Sequence, residues 1–410
     1  MKRAVRDFEL ERDLDAVKRI WQEVGWVSDE SEIAMLDHFF AAGRTRVGTL
    51  DDVAECAVHT TPGRIYLGDQ SLSLCAVTAV TTSRVARSQR FAQELTAEQL
   101  LHAQTRGAQV SALGMFDQGF YDKLGFGTGA YDFLTTFDPD LLQVDHRVPP
   151  PERFSIDDFE ALHQALYNRK VQHGGVSLDP PEIMRAELGF SENGFGLGYR
   201  DESGQVSHFL WLSPEGERGP YRIVMQAYQN TDQLMELLGL LKSLADQVYA
   251  VIMMEPADIQ LQSLLRRPFR HKALTKDGKL SNNNFAAAWY QLRLLELQES
   301  IKAVPVVGEV EFHLSLTDPL DQFREEGSHG QGMTGEYRIS LGSQNSAERV
   351  TGDSGLPILQ ADIRAITRLL FGVATAESLQ VTDQFTLPAE LGKQLDRVLK
   401  VPRPVPGLDF

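Results

Sequence analysis

The sequence predicts an α/β protein of three segments. Residues 77–137 read as a strand, an arginine-bearing turn, a helix and a second strand, which is the alternation of an α/β domain. A helical stripe of leucines at 234–244, followed by the apolar run 248–254, repeats the order of helix and buried strand. In 310–316 and 337–341, apolar and polar side chains alternate as in half-exposed strands, so the last segment reads as α+β.

The chain of 410 residues is too long for one ordinary core. Three consecutive prolines at 149–151 form a stiff break. Pro305 begins a segment in which the spacing of apolar residues is different. We therefore expect domains at 1–150, 151–304 and 305–410. Because the first two segments share the order of helix and strand, a weak internal duplication is also expected.

The elements of the first segment follow from periodicity and stop signals. Apolar residues at three- and four-residue spacing predict a helix over 16–24, and a strand is expected near 72–80. The next helix should end around Arg106, with Gly107 as its stop. Residues 110–115 read as a buried strand.

Two further helices are expected in the last segment. A stripe over 359–370 predicts an amphipathic helix that is a core element rather than a lipid groove. Pro388 suits the first turn of a final helix that carries Leu391, Leu395 and Val398. The remaining tail reads VPRPVPGLDF.

Charge and cysteine content narrow the function classes. The formal net charge is −17, so nucleic acid and anionic membranes are poor partners, and cationic small molecules or peptides are favoured. The acidic surface could equally serve solubility alone. Cys56 and Cys75 lie in apolar runs and are expected in the core; no Cys/His metal spacing occurs, so we predict no metal. Without an apolar signal core or membrane-length run, the expected location is the cytoplasm.

The first chemical candidate is Tyr121 in the segment FYDKLGFG. The glycines permit tight backbone bends, and the apolar neighbours supply packing. A tyrosine hydroxyl has a pKa near 10, close to that of a thiol, and can protonate a leaving thiolate. The alternative is a core tyrosine whose hydroxyl is satisfied by a structural hydrogen bond.

The second candidate is the arginine-rich turn after the strand that ends near Val80. Arg84, Arg87 and Arg90 precede a helix, whose N-terminal N–H groups and dipole attract a pyrophosphate. Arginines add bidentate phosphate contacts. The alternative is a solvated basic turn without a ligand.

These residues resemble the catalytic core of the GNAT (Gcn5-related) N-acetyltransferases, and within them the Eis (enhanced intracellular survival) type. That type has a GNAT domain, a second GNAT-like domain and a C-terminal domain like sterol carrier protein, and its chains end in an aromatic residue. This chain has three segments in that order and ends in Phe410. Residues 289–305 are similar to the end of the family's second domain. The resemblance implies two tandem GNAT-like domains followed by a sterol-carrier-like domain.

The resemblance assigns a cofactor site residue by residue. Val80 and Thr82 match the family's Val-x-Val positions, which hold the pantetheine arm of acetyl-CoA. Arg87 matches the first pyrophosphate arginine, while Ser88 replaces the second arginine and Arg90 the glycine. Glycine allows close approach to phosphate, so Arg90 either obstructs the site or binds phosphate through its guanidinium. Thr96 and Gln99 also resemble a capping box, which would start the helix late.

The remaining assignments concern catalysis and the acceptor. The resemblance makes Tyr121 the general acid and the carboxylate of Phe410 the base or the anchor of the amine. The prolines of the tail lower the entropy cost of docking it. Asp117 lies where the family lines its acceptor pocket; a loop-surface acid is the alternative reading.

The predicted function is acetyl transfer from acetyl-CoA to a primary amine of an aminoglycoside, a polyamine or a lysine-like acceptor. A longer acyl group remains open. The alternative function is a catalytically impaired protein that binds a cationic or lipid-like ligand. The resemblance also implies a homo-oligomer, the family's assembly being a hexamer.

Overall fold

The computed structural model describes residues 2–115, 118–145, 147–266, 274, 276, 278, 280–324, 331–352 and 354–408. It contains three β-sheets of eight, seven and five strands with helices packed on them. Within these ranges, no helix has both the length and the apolar character that a membrane crossing needs.

Twenty strands follow one another along the described chain. They are β1 (Arg3–Asp7), β2 (Arg44–Leu50), β3 (Val53–Leu67), β4 (Gln70–Thr82), β5 (Val110–Gly114), β6 (Gly127–Thr128), β7 (Asp132–Phe137), β8 (Glu152–Phe154), β9 (Val176–Leu178), β10 (Phe195–Arg200), β11 (Val206–Pro214), β12 (Tyr221–Ala227), β13 (Val251–Met254), β14 (Asn283–Ala287), β15 (Tyr290–Leu294), β16 (Val310–Thr317), β17 (Gly335–Leu341), β18 (Ser346–Arg349), β19 (Ile358–Asp362) and β20 (Phe385–Thr386).

The described helices lie between these strands. The α-helices are α1 (Leu10–Val24), α2 (Glu30–Ala41), α3 (Phe91–Thr105), α4 (Gln118–Tyr121), α5 (Phe159–Tyr167), α6 (Pro181–Phe190), α7 (Thr231–Ser243), α8 (Leu297–Ala303), α9 (Ile363–Leu370), α10 (Ala376–Thr382) and α11 (Ala389–Val398). Short 3₁₀ turns occupy Asp122–Leu124, Pro139–Leu141, Ile156–Asp158, Leu261–Leu264 and Pro319–Phe323.

The first two sheets share one strand order and exchange one strand. The first runs β1-β2-β3-β4-β5-β15-β6, with β9 beside β3; the second, read from its other edge, runs β8-β10-β11-β12-β13-β7-β14. In each, one parallel pair, β4 with β5 and β12 with β13, adjoins the strand supplied by the other half. This shared topology confirms the internal duplication. Because β7 and β15 cross over, sheet membership does not follow the chain order at 150.

The third sheet has the order β18-β17-β16-β19-β20 and forms the predicted α+β segment. Its helix α9 packs on β15 and β6 of the first sheet. The third segment therefore contacts the first sheet beside the turn that contains Tyr121.

Most predicted elements are present with shifted ends. The helix predicted over 16–24 begins at Leu10, because its first turn consists of an exposed leucine and three charged residues and so lacks the buried apolar spacing. The predicted strands at 72–80 and 110–115 are β4 and β5, and α3 ends at Thr105, before Gly107 with φ +91°. Cys56 and Cys75 are buried, and burial raises the pKa of each thiol to about 12.

Two predictions in the third segment are wrong in detail. The helix predicted over 359–370 begins at Ile363, because Asp362 ends β19 and its side chain accepts the N–H of Ala365 as a cap. His313, predicted on the exposed face of β16, is buried. Its imidazole lies 2.9 Å from the Ser354 hydroxyl through Nδ1 and 2.7 Å from the Glu336 carboxylate through Nε2.

Candidate acetyl-transfer site

The centre of the site is the place where β4 and β5 separate. Their parallel pairing runs from Leu74 opposite Val110 to Val77 opposite Leu113. Beyond it, β4 continues to Thr82, whereas β5 ends at Gly114. The register of β4 with β3 slips by one residue at Thr78, and such a bulge bends a strand and increases its twist. Beyond Val77 the two strands no longer pair, and we call this unpaired end of β4 and β5 the opening.

Val80 and Thr82 both lie on this last part of β4 and are partly exposed. Val80 pairs with Val58, and Thr82 pairs with Cys56 on the other side of β4. The Thr82 hydroxyl also lies 3.2 Å from the Cys56 sulfur. One edge of this part of β4 is thus paired with β3, and its other edge, toward β5, faces the opening.

The arginine-rich turn leads from β4 into α3. Arg87, Ser88 and Arg90 are all exposed. Ser88 and Arg90 each have φ +65°, a left-handed conformation that favours glycine. Arg90 therefore has the backbone that the family's glycine would supply, and its side chain extends into solvent.

Helix α3 begins directly after Arg90, at Phe91, so the predicted late start is wrong. The Thr96 hydroxyl donates to the carbonyl of Ala92 within the helix. The Gln99 amide donates to the carbonyls of Arg44 and Val58 instead of closing a capping box. The positive end of the helix dipole consequently lies beside the arginines.

No described side chain caps the N-terminus of α3. The acid of its first turn, Glu94, pairs with Arg3, whose guanidinium lies 4.2 Å above the centre of the Phe91 ring. The first-turn N–H groups and the exposed arginines together form an anion-binding corner that suits a pyrophosphate.

Tyr121 lies at the end of α4, in the same apolar cluster as Val77 and Leu113, where β4 and β5 stop pairing. Its side chain is 7% exposed and packs edge-on against Phe120 and Phe126, with ring centroids 4.9 and 6.1 Å away. The chain then makes the 3₁₀ turn Asp122–Leu124 and leaves it through Gly125, whose φ is +82°. The predicted tight bend after Tyr121 is confirmed.

A buried arginine of β15 holds this turn to the third segment. Arg293 is fully buried and donates to the carbonyl of Leu124 and, over 2.6 Å, to the carboxylate of Asp318. Asp318 is also fully buried and accepts the N–H of Leu320. A side chain at Gly125 would lie 2.4 Å from the Arg293 guanidinium, so the close approach requires glycine.

A second set of contacts holds the same turn through Asp122. Gln291 of β15 donates its amide to the Asp122 carboxylate over 2.9 Å. Arg364 of α9 lies 3.5 Å from the same carboxylate and bonds Asp362 at 2.6 Å. The turn after Tyr121 is thus fixed by a strand of the second half and by a helix of the third segment.

A cavity of about 530 Å³ opens where β5 ends, between the first two sheets. Gly114 and Met115 line it on the side of β5, and Trp289 and Tyr290 line it on the side of β15. This volume lies within the range of small-molecule sites. The described lining also includes Asp132, Leu134, Arg169, Lys170, Val171, Gln172, Gly175, Arg222, Ile223, Val224, Met225, Gln226, Tyr228, Met254, Glu255, Pro256, Ala257, Val405, Pro406, Gly407 and Leu408.

The C-terminal tail runs along the wall of this cavity. The Tyr290 hydroxyl donates to the carbonyl of Pro404, and the N–H of Val405 donates to the carbonyl of His173, each over 3.0 Å. The N–H of Val176 donates to the carbonyl of Pro406 over 2.9 Å. The tail is therefore docked in the fold up to Leu408.

A buried cation supports the docked tail. The Arg169 guanidinium donates to the carbonyls of Leu166 and Val176, to the Ser177 hydroxyl and, at 3.5 Å, to the carbonyl of Pro406. Burial lowers the pKa of Arg169 to about 10. These four hydrogen bonds of the Arg169 guanidinium are all made to groups of the protein itself.

The structure places the predicted site residues on three neighbouring pieces of the chain. Val80 and Thr82 lie on the unpaired end of β4, Arg87, Ser88 and Arg90 lie in the turn before α3, and Tyr121 lies at the end of α4. Asp117 and Phe410 fall outside the described residues.

Sequence reasoning missed the residues that hold the site together, above all Gln291 and Arg293. Neither residue was a candidate from the sequence, which offered only the resemblance of 289–305 to the end of the family's second domain. In the structure, β15 lies between β5 and β6 and all five of its residues are buried. Where other elements cover both faces of a strand, a single arginine in that strand indicates a buried ion pair.

Comparison with known proteins agrees with this geometry. Residues 4–129 match the acetyltransferase (GNAT) domain. No curated protein is similar enough in sequence to match the chain.

Solved structures are similar over the full length of the chain. A conserved protein from Enterococcus faecalis V583, described as a probable N-acyltransferase, has a TM-score of 0.79 at 16% identity, with 100% of both chains covered. A GCN5-related N-acetyltransferase from Anabaena variabilis gives 0.78 at 17%, again with 100% of both covered. Eis1 from Mycobacterium abscessus gives 0.74 at 14%, with the same coverage.

The fold and the match define the class of the protein. The chain carries an N-terminal GNAT acetyltransferase domain, and its whole fold is that of tandem GNAT-like proteins. Residues 4–129 thus form a domain of the GNAT acetyltransferase type, and such domains use acetyl-CoA.

Proposed function

We propose that the protein transfers an acetyl group from acetyl-CoA to a primary amine that enters the cavity beside β5. One observation carries this proposal: the unpaired end of β4 leads into the basic turn before α3, and the end of β5, its neighbour in the sheet, lines the cavity. A cofactor with a diphosphate, a long arm and a terminal thioester fits that arrangement.

The diphosphate would bind at the turn before α3. Arg87 offers a charge-assisted contact, and the first-turn N–H groups of α3 offer hydrogen bonds at the positive end of the dipole. Backbone groups of Val80 and Thr82 would hold the pantetheine arm as an added strand does. Arg90 extends into solvent and can reach a phosphate with its own guanidinium.

The reaction would proceed through a tetrahedral intermediate. The amine attacks the thioester carbonyl, a C–N bond forms, and backbone N–H groups of β4 stabilise the oxyanion. When the intermediate collapses, the C–S bond breaks and the Tyr121 hydroxyl protonates the departing thiolate. The terminal carboxylate of Phe410 would take the proton of the amine, directly or through water, or anchor its ammonium. Docking of the tail up to Leu408 supports this part.

The acceptor in this proposal is cationic. Asp132, at the start of β7, and Glu255, directly after the neighbouring β13, line the cavity, and carboxylates attract an ammonium before it loses its proton. Aminoglycosides, polyamines and lysine side chains all carry such a group. Asp117 would add a third acid.

The proposal extends to the organisation of the chain. We assign 1–150 and 151–304 to the two GNAT-like domains and 305–410 to a sterol-carrier-like domain of the Eis type, in a cytoplasmic protein. An exposed aromatic side chain on the edge strand β14 supports a homo-oligomer: Phe285 is 53% exposed.

The alternative function is a binding protein that has lost catalysis. The left-handed backbone at Ser88 and Arg90, each with a full side chain, is the observation that favours it. In that case the cavity would bind its ligand without acetyl-CoA.

A thiol-release assay separates the two functions. Purified protein with acetyl-CoA and a panel of primary amines should release coenzyme A only when an amine is present, and mass spectrometry should find the amine heavier by one acetyl group. Amine-independent release, or none, with every acceptor class in the panel contradicts the transferase.

A further inference from the structure

We infer that the acceptor is a monoamine with an apolar body, and not a polycation. This inference rests on the proposed function and specifies the substrate class of the same cavity. It is carried by the composition of the cavity wall, in which apolar side chains cover most of the described surface and acids are few.

The wall offers an apolar surface on several sides. Met115, Leu134, Met225, Met254 and Trp289 line it, from β5, β7, β12, β13 and the residue before β15. Thioether and indole side chains pack against alkyl and aromatic groups of varied shape. A ligand with an apolar body would lose water-exposed surface against all of these strands.

The acids are confined to one corner. Glu255 follows Met254, which lies opposite Leu134, and its N–H donates to the carbonyl of Phe133 over 2.8 Å. Asp132 begins the same stretch of β7 and is 4% exposed. The Glu255 carboxylate is already bound by hydrogen bonds from Thr135 and Asn284, at 2.8 and 3.3 Å, and neither of these residues lines the cavity. This corner suits one ammonium.

The bases of the wall act against further positive charge. Among the described lining residues, three are cationic, Arg169, Lys170 and Arg222, against the two acids Asp132 and Glu255. The Arg169 guanidinium is hydrogen-bonded to the tail, whereas Lys170 and Arg222 are exposed. A second or third ammonium of a polyamine or aminoglycoside would lose hydration against methionines or approach these cations, and both are unfavourable.

The test is calorimetric titration of the full-length protein, without acetyl-CoA, with tryptamine and with spermine at physiological salt. We expect tryptamine to bind at least about tenfold more tightly than spermine. Equal or tighter binding of spermine, or no binding of either amine, overturns the inference.

A charge reversal in the lining sharpens the test. Arg222→Glu should strengthen spermine binding several-fold and leave tryptamine little changed, because it replaces an exposed cation of the lining with a carboxylate for the further ammonium groups that tryptamine lacks. Arg153→Glu, at an exposed position on β8, an edge strand of the same sheet, is the matched control and should change neither. An unchanged spermine affinity in Arg222→Glu contradicts the charge argument.

Turnover with the same amines keeps this inference distinct from the proposed function. Tight tryptamine binding without coenzyme A release refutes the transferase but supports the cavity assignment. Acetylation of spermine in preference to tryptamine refutes the assignment but supports the transferase.

Discussion

The two ends of the proposed site are built in different ways. At the phosphate end, Arg87, Ser88 and Arg90 lie exposed on a turn in which two non-glycine residues have φ +65°. At the other end, the turn after Tyr121 is held by the fully buried pair of Arg293 and Asp318. The first depends on local backbone and exposed charge, and the second on contacts from two other parts of the chain.

This difference indicates where the chain tolerates change. An exposed loop can lose a family residue and keep the fold, because few contacts depend on it. A turn fixed by a buried ion pair cannot lose one partner without leaving a charge in the core. Departures from the family pattern are accordingly found at the phosphate end, while Tyr121 and its glycine turn match the pattern.

The largest expected effect comes from breaking the buried pair. Arg293→Met should lower the free energy of unfolding by about 3–5 kcal/mol, because Asp318 is left buried without its partner. Urea unfolding measures this change. Arg338→Met, in the exposed pair with Glu311 on the third sheet, is the control and should cost less than about 1 kcal/mol.

A double variant separates stability from positioning at the same place. Arg293→Met with Asp318→Asn removes the buried charge and keeps a side-chain acceptor for the N–H of Leu320. It should recover most of the lost stability but not the turnover, since the carbonyl of Leu124 still lacks its donor. Full recovery of turnover would show that the contact does not position Tyr121.

Loss of the proposed acid should act on chemistry and not on binding. Tyr121→Phe should lower kcat at least about 100-fold, which is the usual range for removal of a general acid. Its acetyl-CoA affinity, measured by calorimetry, should stay unchanged. Tyr131→Phe, at a side chain that is 63% exposed, should behave as the parent does. Equal rates for Tyr121→Phe and parent would remove the hydroxyl from the mechanism.

The phosphate end should give the opposite result. Arg87→Ala should weaken acetyl-CoA binding about tenfold, the size of a charge-assisted hydrogen bond, and higher salt should diminish the difference. At saturating acetyl-CoA, kcat should remain near that of the parent. Arg106→Ala, at an exposed residue at the other end of α3, is the matched control. An equal loss of acetyl-CoA affinity in Arg106→Ala would show that the net charge of the protein, and not a contact with phosphate, causes the effect.

The smallest effect concerns the backbone before α3. Arg90→Gly should raise the free energy of unfolding by about 1 kcal/mol, because glycine adopts φ +65° without steric strain. Gln93→Gly, two residues inside the helix that follows, should lower it by about 1 kcal/mol. Thermal unfolding of both variants checks the two signs, and a loss of stability in Arg90→Gly would argue against strain at this residue.

Local patterns predicted the elements that bear the site but not the contacts that fix it. The strands β4 and β5 and the tight turn after Tyr121 follow from apolar runs and glycines. The exchange of β7 and β15 between the sheets could not be predicted, because it depends on pairing between residues more than a hundred positions apart. The burial of Arg293 follows from that exchange, so the sequence could not predict it either. Local capping signals at Thr96 and Gln99 were misleading, since tertiary hydrogen bonds to Arg44 and Val58 use the glutamine instead.

Calorimetric titration of purified parent protein with acetyl-CoA, with Arg90→Gly measured alongside, tests the central claim most directly. Arginine at this position has the backbone that the family's glycine supplies and is compatible with a phosphate site. We therefore predict micromolar binding by the parent and no more than a modest change in the variant. No binding by the parent, with binding restored in Arg90→Gly, would contradict the account and assign the cavity to a ligand that is not acetylated.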